Sequence, residues 1–183
     1  MPLTLILGGA RSGKSRTAVA LAQRQHEPVT FLATGEGRDV EMRNRIARHR
    51  LERPDTWATV EEPLALHAAL DAVPATDCLI IDCLTLWTSN ELEVFDANEV
   101  EAHAFELSRL AQARIGSTLV VSNEVGMGIV SENQLARVFT DVLGRVNSLW
   151  AEVASEVLFM VAGRAMKLGD PLALPESRAG SGD

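Results

Sequence analysis

The feature that most restricts the fold of this chain is a glycine-rich octapeptide near its beginning. It reads Gly8-Gly9-Ala10-Arg11-Ser12-Gly13-Lys14-Ser15 and matches the pattern G-x-x-x-x-G-K-S. The apolar run 3–7 precedes it, and a stretch with helical periodicity follows it. In this order of strand, loop and helix, backbone N–H groups and a helix N-terminus surround an anion. We therefore predict a phosphate-binding loop rather than a glycine-rich turn that matches by chance.

Two side chains of this loop have expected roles. Lys14 reaches the β- and γ-phosphates of a nucleoside triphosphate, and the Ser15 hydroxyl holds Mg²⁺. The loop predicts that a nucleoside triphosphate binds. It does not predict which reaction the chain catalyses, so the reaction has to be inferred from other residues.

Length, composition and charge favour a single domain. The 183 residues can bury a core without disulfides or structural metals. The formal net charge of -8 argues against a nucleic-acid partner, which would need a basic face. We predict one nucleotide-binding domain over residues 1–168 and a loosely ordered tail over residues 169–183.

Cysteine usage and hydropathy predict a cytoplasmic enzyme. Cys78 and Cys83 lie in or beside an apolar run and lack metal-ligand spacing, so we expect core residues in a reducing compartment. The chain enters its first predicted strand at once, without the pattern of a signal peptide. No apolar stretch approaches the ~20 residues that cross a bilayer.

Short apolar runs alternate with longer amphipathic segments. The predicted strands cover residues 3–7, 29–33, 78–81, 118–122 and 157–161, and a further short strand over 57–60 fits the pattern. The predicted helices cover residues 14–25, 40–51, 64–72, 98–114 and 134–154. Continuous apolar strands between helices indicate an α/β fold, with a mostly parallel sheet flanked by helices as in P-loop NTPases.

Polar and glycine residues follow several of these strands. Residues 34–37, Asp82 and residues 123–128 each come directly after a predicted strand. Ligands of parallel sheets bind beyond the carboxyl ends of the strands, so we expect one common site. A strand-end carboxylate such as Asp82 orders Mg²⁺ water in P-loop proteins. The alternative is that Asp82 caps a helix starting near Leu84.

Four further polar residues are candidates for substrate contacts. Asn123 and Glu124 could bind a substrate hydroxyl or support the metal, and Glu61 and Glu62 could contact a base or a ribose.

The segment 38–53 is rich in arginine although the chain is acidic. In a helix, Arg45 and His49 stand one above the other at i and i+4. Guanidinium groups bind phosphate in a forked geometry, whereas the alternative is a solvated helix face balanced by Glu41 and Glu52. The arginines of this segment are Arg38, Arg43, Arg45, Arg48, Arg50 and Arg53.

His49 is the histidine that this setting singles out. A neutral imidazole can attack phosphorus, and neighbouring guanidinium groups favour the neutral form and stabilise charge on a reacting phosphate. The alternative is a half-buried structural histidine beside an apolar stripe. His26, His67 and His103 lack such a setting, and we expect them at the surface.

Taken together, these segments resemble the bifunctional adenosylcobinamide kinase / adenosylcobinamide-phosphate guanylyltransferase family of cobalamin biosynthesis. The resemblance extends to about Val161 and is most specific in Asn123-Glu124-Val125-Gly126-Met127-Gly128-Ile129-Val130 and around Arg45-Ile46 and His49-Arg50. Further matching stretches are Ala33-Thr34, Arg53-Pro54, Glu132-Asn133 and Gly144-Arg145-Val146-Asn147.

This resemblance implies a two-step reaction. A nucleoside triphosphate, ATP or GTP, phosphorylates the hydroxyl of the aminopropanol arm of adenosylcobinamide. His49 then attacks the α-phosphate of GTP and releases pyrophosphate, and the GMP–histidine intermediate passes GMP to adenosylcobinamide phosphate to give adenosyl-GDP-cobinamide. The resemblance also implies a homo-oligomer, trimeric in this family.

Site residues can be carried over from the family where the sequence matches. We expect Lys14 and His49 to be catalytic, and Ser15 and Asp82 to hold Mg²⁺. Two positions depart from the pattern: Arg48 stands where some relatives carry a second histidine, and relatives can have glutamate at Asp82, whose shorter carboxylate reaches less far. The nucleotide contacts map onto Gly8, Gly9, Ala10, Arg11, Ser12, Gly13, Lys14, Ser15, Ala33, Thr34, Gly35, Arg50, Leu51, Glu52, Arg53, Glu61 and Asp82.

Two other functions are compatible with the phosphate loop. One is a plain kinase that acts on another alcohol, and the other is a nucleotide-dependent switch that hydrolyses slowly. Neither needs a nucleophilic imidazole, so the segment around His49 separates them from the two-step transferase.

Overall fold

A seven-stranded sheet forms the centre of the computed structural model, which describes residues 3–25, 27–51 and 53–171 and all side chains among them except that of Arg45. The strands are β1 (Leu3–Gly8), β2 (Val29–Ala33), β3 (Ala58–Glu61), β4 (Cys78–Asp82), β5 (Thr118–Val121), β6 (Glu156–Val161) and β7 (Arg164–Leu168). The helices are α1 (Lys14–Ala22), α2 (Val40–Leu51), α3 (Leu66–Ala72), α4 (Leu84–Glu91), α5 (Ala97–Gln112) and α6 (Gln134–Val153).

The strand order explains why several loops meet. Across the sheet the strands follow the order β3-β2-β4-β5-β1-β6-β7. The first six strands pair in parallel, and β7 alone runs antiparallel, beside β6. The mostly parallel α/β sheet predicted from the sequence is therefore confirmed, and the carboxyl ends of six strands share one edge.

Both faces of the sheet are covered by helices. Successive side chains of a strand point to opposite faces, so Leu5 and Leu7 join one apolar cluster and Ile6 joins the other. The first cluster packs against α3, α4, α5 and α6, and the second packs against α1. Burial on both faces is the physical reason that these strands read as continuous apolar runs.

One strand is absent from the sequence prediction, one helix was only an alternative, and several bounds differ. Helix α4 begins at Leu84, as the helix-cap alternative for Asp82 expected, but its extent was not predicted because most of its residues are buried, which removes the polar face that would reveal a helical period. Strand β7 was not predicted because all five of its residues are exposed. Four predicted helices were too long: α1 ends at Ala22, α3 begins at Leu66, α5 ends at Gln112, and α6 ends at Val153. The short strand expected over 57–60 lies at Ala58–Glu61.

Two further predicted limits can be compared with the structure, the start of α5 and the end of the domain. Helix α5 begins at a capping box, in which the Asp96 side chain accepts from the Glu99 backbone while the Glu99 side chain accepts from the Asp96 backbone. Strand β7 ends at Leu168, the last residue of the predicted domain. Residues 172–183 of the predicted tail lie outside the described residues. In the described part, no helix is both long and apolar enough to cross a membrane.

His67 and His103, expected at the surface, keep 39% and 35% of their side chains exposed, so both lie partly at the surface and also contact neighbouring side chains. The Nδ1 atom of His103 lies 2.7 Å from Oε2 of the buried Glu91, and the edge of its ring meets Phe95. Glu91 belongs to α4, so this cluster could not be foreseen without that helix. His26 lies outside the described residues.

Candidate active site

The phosphate loop connects β1 to α1 as the sequence predicts. Gly8 and Gly13 have φ angles of 145° and 101°, a backbone region that L side chains rarely adopt. A Cβ atom on Gly8 would lie 2.4 Å from the carbonyl oxygen of Met160. Glycine at position 8 is therefore required both by backbone conformation and by the neighbouring strand β6.

Two polar side chains of the loop are buried. Lys14 is only 7% exposed, and its Nζ donates to the carbonyl oxygens of Gly8 at 2.9 Å and Gly9 at 2.8 Å. The Ser12 hydroxyl is also buried, and it has no hydrogen-bond partner within the described residues. Buried polar groups normally have partners, so an unsatisfied hydroxyl in an anion-binding loop suits a phosphate oxygen.

Asp82 lies half-buried at the carboxyl end of β4. The alternative role as a helix cap is not realised, because Cys83 is the N-cap of α4 and no side chain forms a capping hydrogen bond there. Only β5 separates β4 from β1, so the two strands lie about 10 Å apart. The carboxylate is thus at the same edge as the phosphate loop.

The residues at this edge suit Mg²⁺. The described residues contain no cluster of three or more His, Cys, Asp or Glu side chains that could cage a metal ion. Mg²⁺ needs no such cage, because one or two protein oxygens together with substrate phosphates and waters complete its shell. The half-buried Ser15 hydroxyl and Asp82 carboxylate, both at this edge, are two oxygens of the kind that such a shell requires.

The thiol of Cys83 follows Asp82 directly in the chain at this edge. Burial raises the pKa of Cys83 to about 11, the neighbouring carboxylate of Asp82 adds to the rise, and the ammonium of Lys14 acts against it. The same thiol therefore experiences both charged groups, which is consistent with their lying around one site. Cys78 is the fully buried core residue expected, whereas Cys83 is half-buried.

A pocket of about 500 Å³ lies between α2 and the carboxyl ends of β2 and β3. Its wall contains an ion pair between Arg50 and Glu61. Arg43 adds a second guanidinium, and its Nη1 donates to the carbonyl oxygen of Gly37 at 3.1 Å. The pocket is lined by Gly35, Gly37, Arg43, Ile46, Ala47, Arg50, Leu51 and Glu61.

His49 lies on α2 beside this pocket but is not one of its lining residues. Its side chain is half-buried, so it is not enclosed in the core. Within the described residues, the imidazole has no hydrogen bond or ion pair. It is thus available to a ligand that enters from the pocket side.

Helix α2, which carries His49, packs loosely against the rest of the protein, because none of its described side chains is buried. Ile46 packs near Gly35, where a Cβ would meet its Cδ1 at 3.8 Å. Strands β4 and β5 separate β2 from β1, so the parent strands of α2 and of the phosphate loop lie about 14 Å apart. Helix α2 and the phosphate loop therefore lie at the same edge of the sheet but follow different strands of it.

Three other predicted site residues are engaged by the protein itself. Thr34 is fully buried and binds the backbone of Cys83. The guanidinium of Arg53 stacks over the ring of Phe31, with its Cζ 3.3 Å from the ring centroid. Glu62 accepts hydrogen bonds from the backbone ahead of α3, so it acts at a helix start.

Two more of the predicted nucleotide contacts can be located only in part. Ala33 is half-buried at the end of β2, and Glu52 lies outside the described residues.

The segment after β5 borders the phosphate loop. The Glu124 N–H donates to the Gly8 carbonyl at 3.2 Å, and its carboxylate accepts from the Gly126 N–H at 2.6 Å. Asn123 is held by Thr85 and Asn147 through its backbone. A further pocket of about 350 Å³, lined in part by Glu27 and Asp77, contains none of the predicted site residues.

Comparison with known proteins gives a family match over most of the chain. The model of a family described as cobinamide kinase / cobinamide phosphate guanyltransferase matches residues 4–168. The bifunctional adenosylcobalamin biosynthesis protein CobP of Pseudomonas aeruginosa is 44% identical over 170 residues, which are 92% of this chain and 98% of the relative. The bifunctional adenosylcobalamin biosynthesis protein CobU of Escherichia coli is 37% identical over 180 residues, with 91% and 99% covered.

Solved structures support the fold class. The RadB recombinase is similar with a TM-score of 0.50 and 15% identity, covering 86% of this chain and 73% of its own. An ATPase of a bacterial type III secretion system has a TM-score of 0.54 and 10% identity, covering 86% and 51%. At such identities the likeness concerns the fold alone, and it agrees with the P-loop NTPase architecture predicted from the sequence.

Proposed function

Because the chain belongs to the cobinamide kinase / cobinamide phosphate guanyltransferase family, we propose that it is a bifunctional enzyme of adenosylcobalamin biosynthesis that phosphorylates adenosylcobinamide and then guanylylates the product. One observation carries the second activity. A half-buried imidazole, His49, lies beside an arginine-lined pocket at the sheet edge that also holds the phosphate loop, and no described residue forms a hydrogen bond or ion pair with it.

In the first step the phosphate loop holds ATP or GTP. The hydroxyl oxygen of the aminopropanol arm attacks the γ-phosphorus and gives its proton to solvent, and the nucleoside diphosphate leaves with the electron pair of the broken bond. Lys14 and the N–H groups from Gly8 to Ser15 surround the β- and γ-phosphates. Ser15 and Asp82 would hold Mg²⁺, which would neutralise charge on those phosphates. The burial of Lys14 supports this role, because water does not compete for its charge.

In the second step an unprotonated ring nitrogen of His49 attacks the α-phosphorus of GTP. A nitrogen–phosphorus bond forms, and pyrophosphate leaves with the electrons of the broken phosphoanhydride bond. A phosphate oxygen of adenosylcobinamide phosphate then attacks the same phosphorus. The nitrogen–phosphorus bond breaks, its electrons return to the imidazole, and adenosyl-GDP-cobinamide is released.

The pocket beside α2 supplies groups for this nucleotide. The Glu61 carboxylate can accept hydrogen bonds from two neighbouring N–H donors, a pattern that guanine offers on one edge and adenine does not. Arg50 forms an ion pair with Glu61 in this structure. When GTP binds, its guanine would bind the Glu61 carboxylate and its phosphates would bind the Arg50 guanidinium, so the ion pair would be replaced. Gly35, Leu51 and Arg43 form the remaining wall.

The test is covalent labelling with GTP that carries its label at the α-phosphate. After denaturing electrophoresis, we expect label on the wild-type protein that acid removes and base does not. His49→Ala should lose this label while keeping transfer from the γ-phosphate to adenosylcobinamide. His67→Ala, which removes another half-buried imidazole, should stay labelled and serves as the matched control.

The same experiment separates the other functions. Label that persists in His49→Ala would contradict the assignment of the nucleophile. Phosphorylated adenosylcobinamide without any protein label would leave a plain kinase. Slow hydrolysis of the nucleotide with neither product would leave a nucleotide-dependent switch.

The wider assignments follow from the family. We assign residues 1–168 to one nucleotide-binding domain, in agreement with the match over residues 4–168. The enzyme would work in the cytoplasm, where nucleoside triphosphates are available, and as a homo-oligomer, with three copies. Exposed apolar side chains after β5, such as Met127 and Val130, are a surface that association would cover. Light scattering of the purified protein measures the number of copies.

A further inference from the structure

Asn123, just after β5, has a fixed backbone and a side chain that the fold does not use. Its N–H donates to the Thr85 hydroxyl at 2.7 Å, and its carbonyl accepts from the Asn147 Nδ2 at 3.0 Å. These two bonds come from α4 and α6, which hold the strand end from outside the sheet. The side-chain amide of Asn123 is half-buried, and it forms no hydrogen bond within the described residues. The protein therefore fixes the position of this amide and leaves its donors and acceptor to a ligand.

The pairing of β5 with β1 continues past the last residue of β5. The Ser122 N–H donates to the Ile6 carbonyl at 3.0 Å, and the Glu124 N–H donates to the Gly8 carbonyl at 3.2 Å. Both N–H groups thus point towards β1, with Asn123 between them. The alternation of side chains between the two faces of the sheet therefore extends through Asn123.

This alternation places the Asn123 side chain on the face of the sheet that α1 covers. Leu119 and Val121 belong to the apolar cluster that packs against α1, and Asn123 is the next residue in that series. Ile80 of β4 belongs to the same cluster, so Asp82, two residues later, is on this face as well. Helix α1 packs over β4 and β5, and it begins in the phosphate loop. The amide therefore lies at the strand end on the side where the loop would hold an anion.

Glu124, the other polar candidate of this segment, is turned away from the loop. By the same alternation its side chain belongs to the opposite face, and its carboxylate accepts from the Gly126 N–H at 2.6 Å. A Cβ on Gly126 would lie 3.1 Å from this carboxylate and 4.0 Å from Cγ2 of Thr140 on α6. The carboxylate is thus on the α6 side and already has a partner. Of the two neighbours, only Asn123 presents an unpaired group to the phosphate loop.

Lys14 relates this amide to the reacting end of the nucleotide. Its Nζ donates to the Gly8 carbonyl at 2.9 Å, the same oxygen that accepts from the Glu124 N–H directly after Asn123. The lysine of a phosphate loop reaches the β- and γ-phosphates, so Asn123 is a neighbour of the phosphoryl group that is transferred. A carboxamide offers one acceptor oxygen and two N–H donors. It can therefore bind a hydroxyl and a phosphoryl oxygen at the same time.

We propose that Asn123 is a catalytic residue of the phosphoryl transfer, which orients the attacking hydroxyl of the substrate towards the γ-phosphorus. Its Oδ1 accepts the hydrogen bond of the hydroxyl, and its Nδ2 donates to a γ-phosphoryl oxygen. No covalent bond to Asn123 forms or breaks: the hydroxyl proton passes to solvent, and the nucleoside diphosphate leaves with the electron pair of the broken bond. This role rests on the proposed kinase activity and involves neither His49 nor the pocket beside α2.

The test separates orientation of the hydroxyl from binding of the nucleotide. Phosphorylation of adenosylcobinamide by ATP gives kcat and KM, and calorimetry gives the Kd for ATP. Asn123→Ala removes the amide but keeps both backbone bonds, so urea unfolding should match that of the wild type. We expect kcat to fall by on the order of 100-fold, because the hydroxyl loses its orientation. The Kd for ATP should change by less than about fivefold, since the rest of the loop still holds the triphosphate.

Two further variants distinguish this role from a structural one. Asn123→Asp keeps the size of the side chain but replaces the N–H donors by a negatively charged oxygen, which repels the phosphoryl group. We expect its kcat to fall at least as far as that of Asn123→Ala, whereas a side chain that only fills space would be restored by this change. Asn98→Ala exchanges the same residue types at an exposed position of α5, and as the matched control it should keep the kcat of the wild type.

Several results would overturn the role of Asn123. These are an unchanged kcat in Asn123→Ala, a kcat restored in Asn123→Asp, and a rise in the Kd for ATP as large as the fall in kcat. A larger fall of kcat in Glu124→Gln than in Asn123→Ala would assign the hydroxyl to the neighbouring residue instead. If the wild type bound ATP but did not phosphorylate adenosylcobinamide, the proposed kinase activity would fail first, and the role of Asn123 with it.

Discussion

The hydroxyl of Thr34 holds both backbone groups of Cys83. It accepts a hydrogen bond from the Cys83 N–H at 2.8 Å and donates one to the Cys83 carbonyl at 2.7 Å. Thr34 follows β2, whereas Cys83 directly follows Asp82 at the end of β4. The pair of bonds therefore joins two strand ends and fixes the backbone from which the proposed metal ligand projects.

Replacing Thr34 by valine should destabilise the fold. Thr34→Val keeps the shape of the side chain but leaves the Cys83 N–H without its partner and its carbonyl with the Trp87 N–H alone, which costs about 1–3 kcal/mol of unfolding free energy. Thr34→Ser retains the hydroxyl and should lose less than about half of that amount. Urea unfolding followed by tryptophan fluorescence measures both values. Equal stability of the valine variant and the wild type would contradict the clamp.

Loss of Lys14 should abolish nucleotide binding without unfolding the chain. Lys14→Ala removes the buried ammonium that faces the loop, so we expect the affinity for ATP and GTP to fall by on the order of 100-fold. Both proposed activities should fall with it, because each needs a bound triphosphate. Calorimetric titration measures the affinity, and circular dichroism checks the fold. Lys167→Ala, which removes the exposed lysine of β7, should bind nucleotide normally.

Neighbouring glycines of the phosphate loop should respond differently to alanine. At Gly8 a Cβ would meet the Met160 carbonyl at 2.4 Å, and the φ angle is already unfavourable for alanine. We therefore expect Gly8→Ala to lose about 2–4 kcal/mol of stability. At Gly9 a Cβ would meet nothing within 4 Å, so Gly9→Ala should stay within about 0.5 kcal/mol of the wild type. Thermal and urea unfolding of the two variants test this difference.

The fall of the unfolding free energy at alkaline pH should depend on the protonation of the Cys78 thiol. Burial raises the pKa of this thiol to about 11 in the folded chain. In the unfolded chain it ionises near ~8.5, so the unfolded state releases its proton first as the pH rises. The stabilisation is therefore complete below the unfolded pKa and is lost as the pH rises towards the folded one. The unfolding free energy should fall between about pH 9 and 11.

Cys78→Ala isolates this contribution. The variant loses some packing at every pH, but its stability should fall less steeply at alkaline pH than that of the wild type. The difference in unfolding free energy between the two proteins should stay constant from about pH 6 to 8 and shrink by pH 10.5. A difference that stays constant over the whole range would show that the thiol does not carry the dependence.

Much of the fold could be predicted because its strands are buried on both faces. Strands such as Val29–Ala33 and Cys78–Asp82 are uninterrupted apolar runs, and glycine and polar residues mark their carboxyl ends. The extent of α4 and the presence of strand β7 could not be predicted, since the helix is buried on most sides and the strand is exposed throughout. The Ala-Gly pair between two β-like runs was a usable sign of the hairpin.

Less of the candidate site could be read from the sequence. The phosphate loop is local, so its eight residues appear together in the chain and in space. Pairings such as Arg50 with Glu61, or Gly163 with Ser12, depend on how distant segments pack. Helical periodicity placed Arg45 and His49 on one strip of α2, but it could not show that Arg43 and Arg50 line a pocket with Glu61.

Two arginines of α2 that flank His49 should therefore differ in their effect on guanylylation. Arg50 lines the pocket and is paired with Glu61, whereas Arg48 is exposed and has no hydrogen bond or ion pair within the described residues. Both variants remove one positive charge next to His49, so any general effect of charge is the same in each. Only Arg50→Ala removes a guanidinium from the pocket that receives the triphosphate.

We expect Arg50→Ala to slow covalent labelling from α-labelled GTP by on the order of 10- to 100-fold, because charge that develops on the α-phosphate loses its guanidinium. Arg48→Ala should slow labelling by less than about threefold, since an exposed charge is screened by solvent. Initial rates at saturating GTP provide the comparison. Equal slowing in both variants would mean that the pocket does not hold the reacting phosphate. The nucleotide would then have to reach His49 from the opposite side of α2.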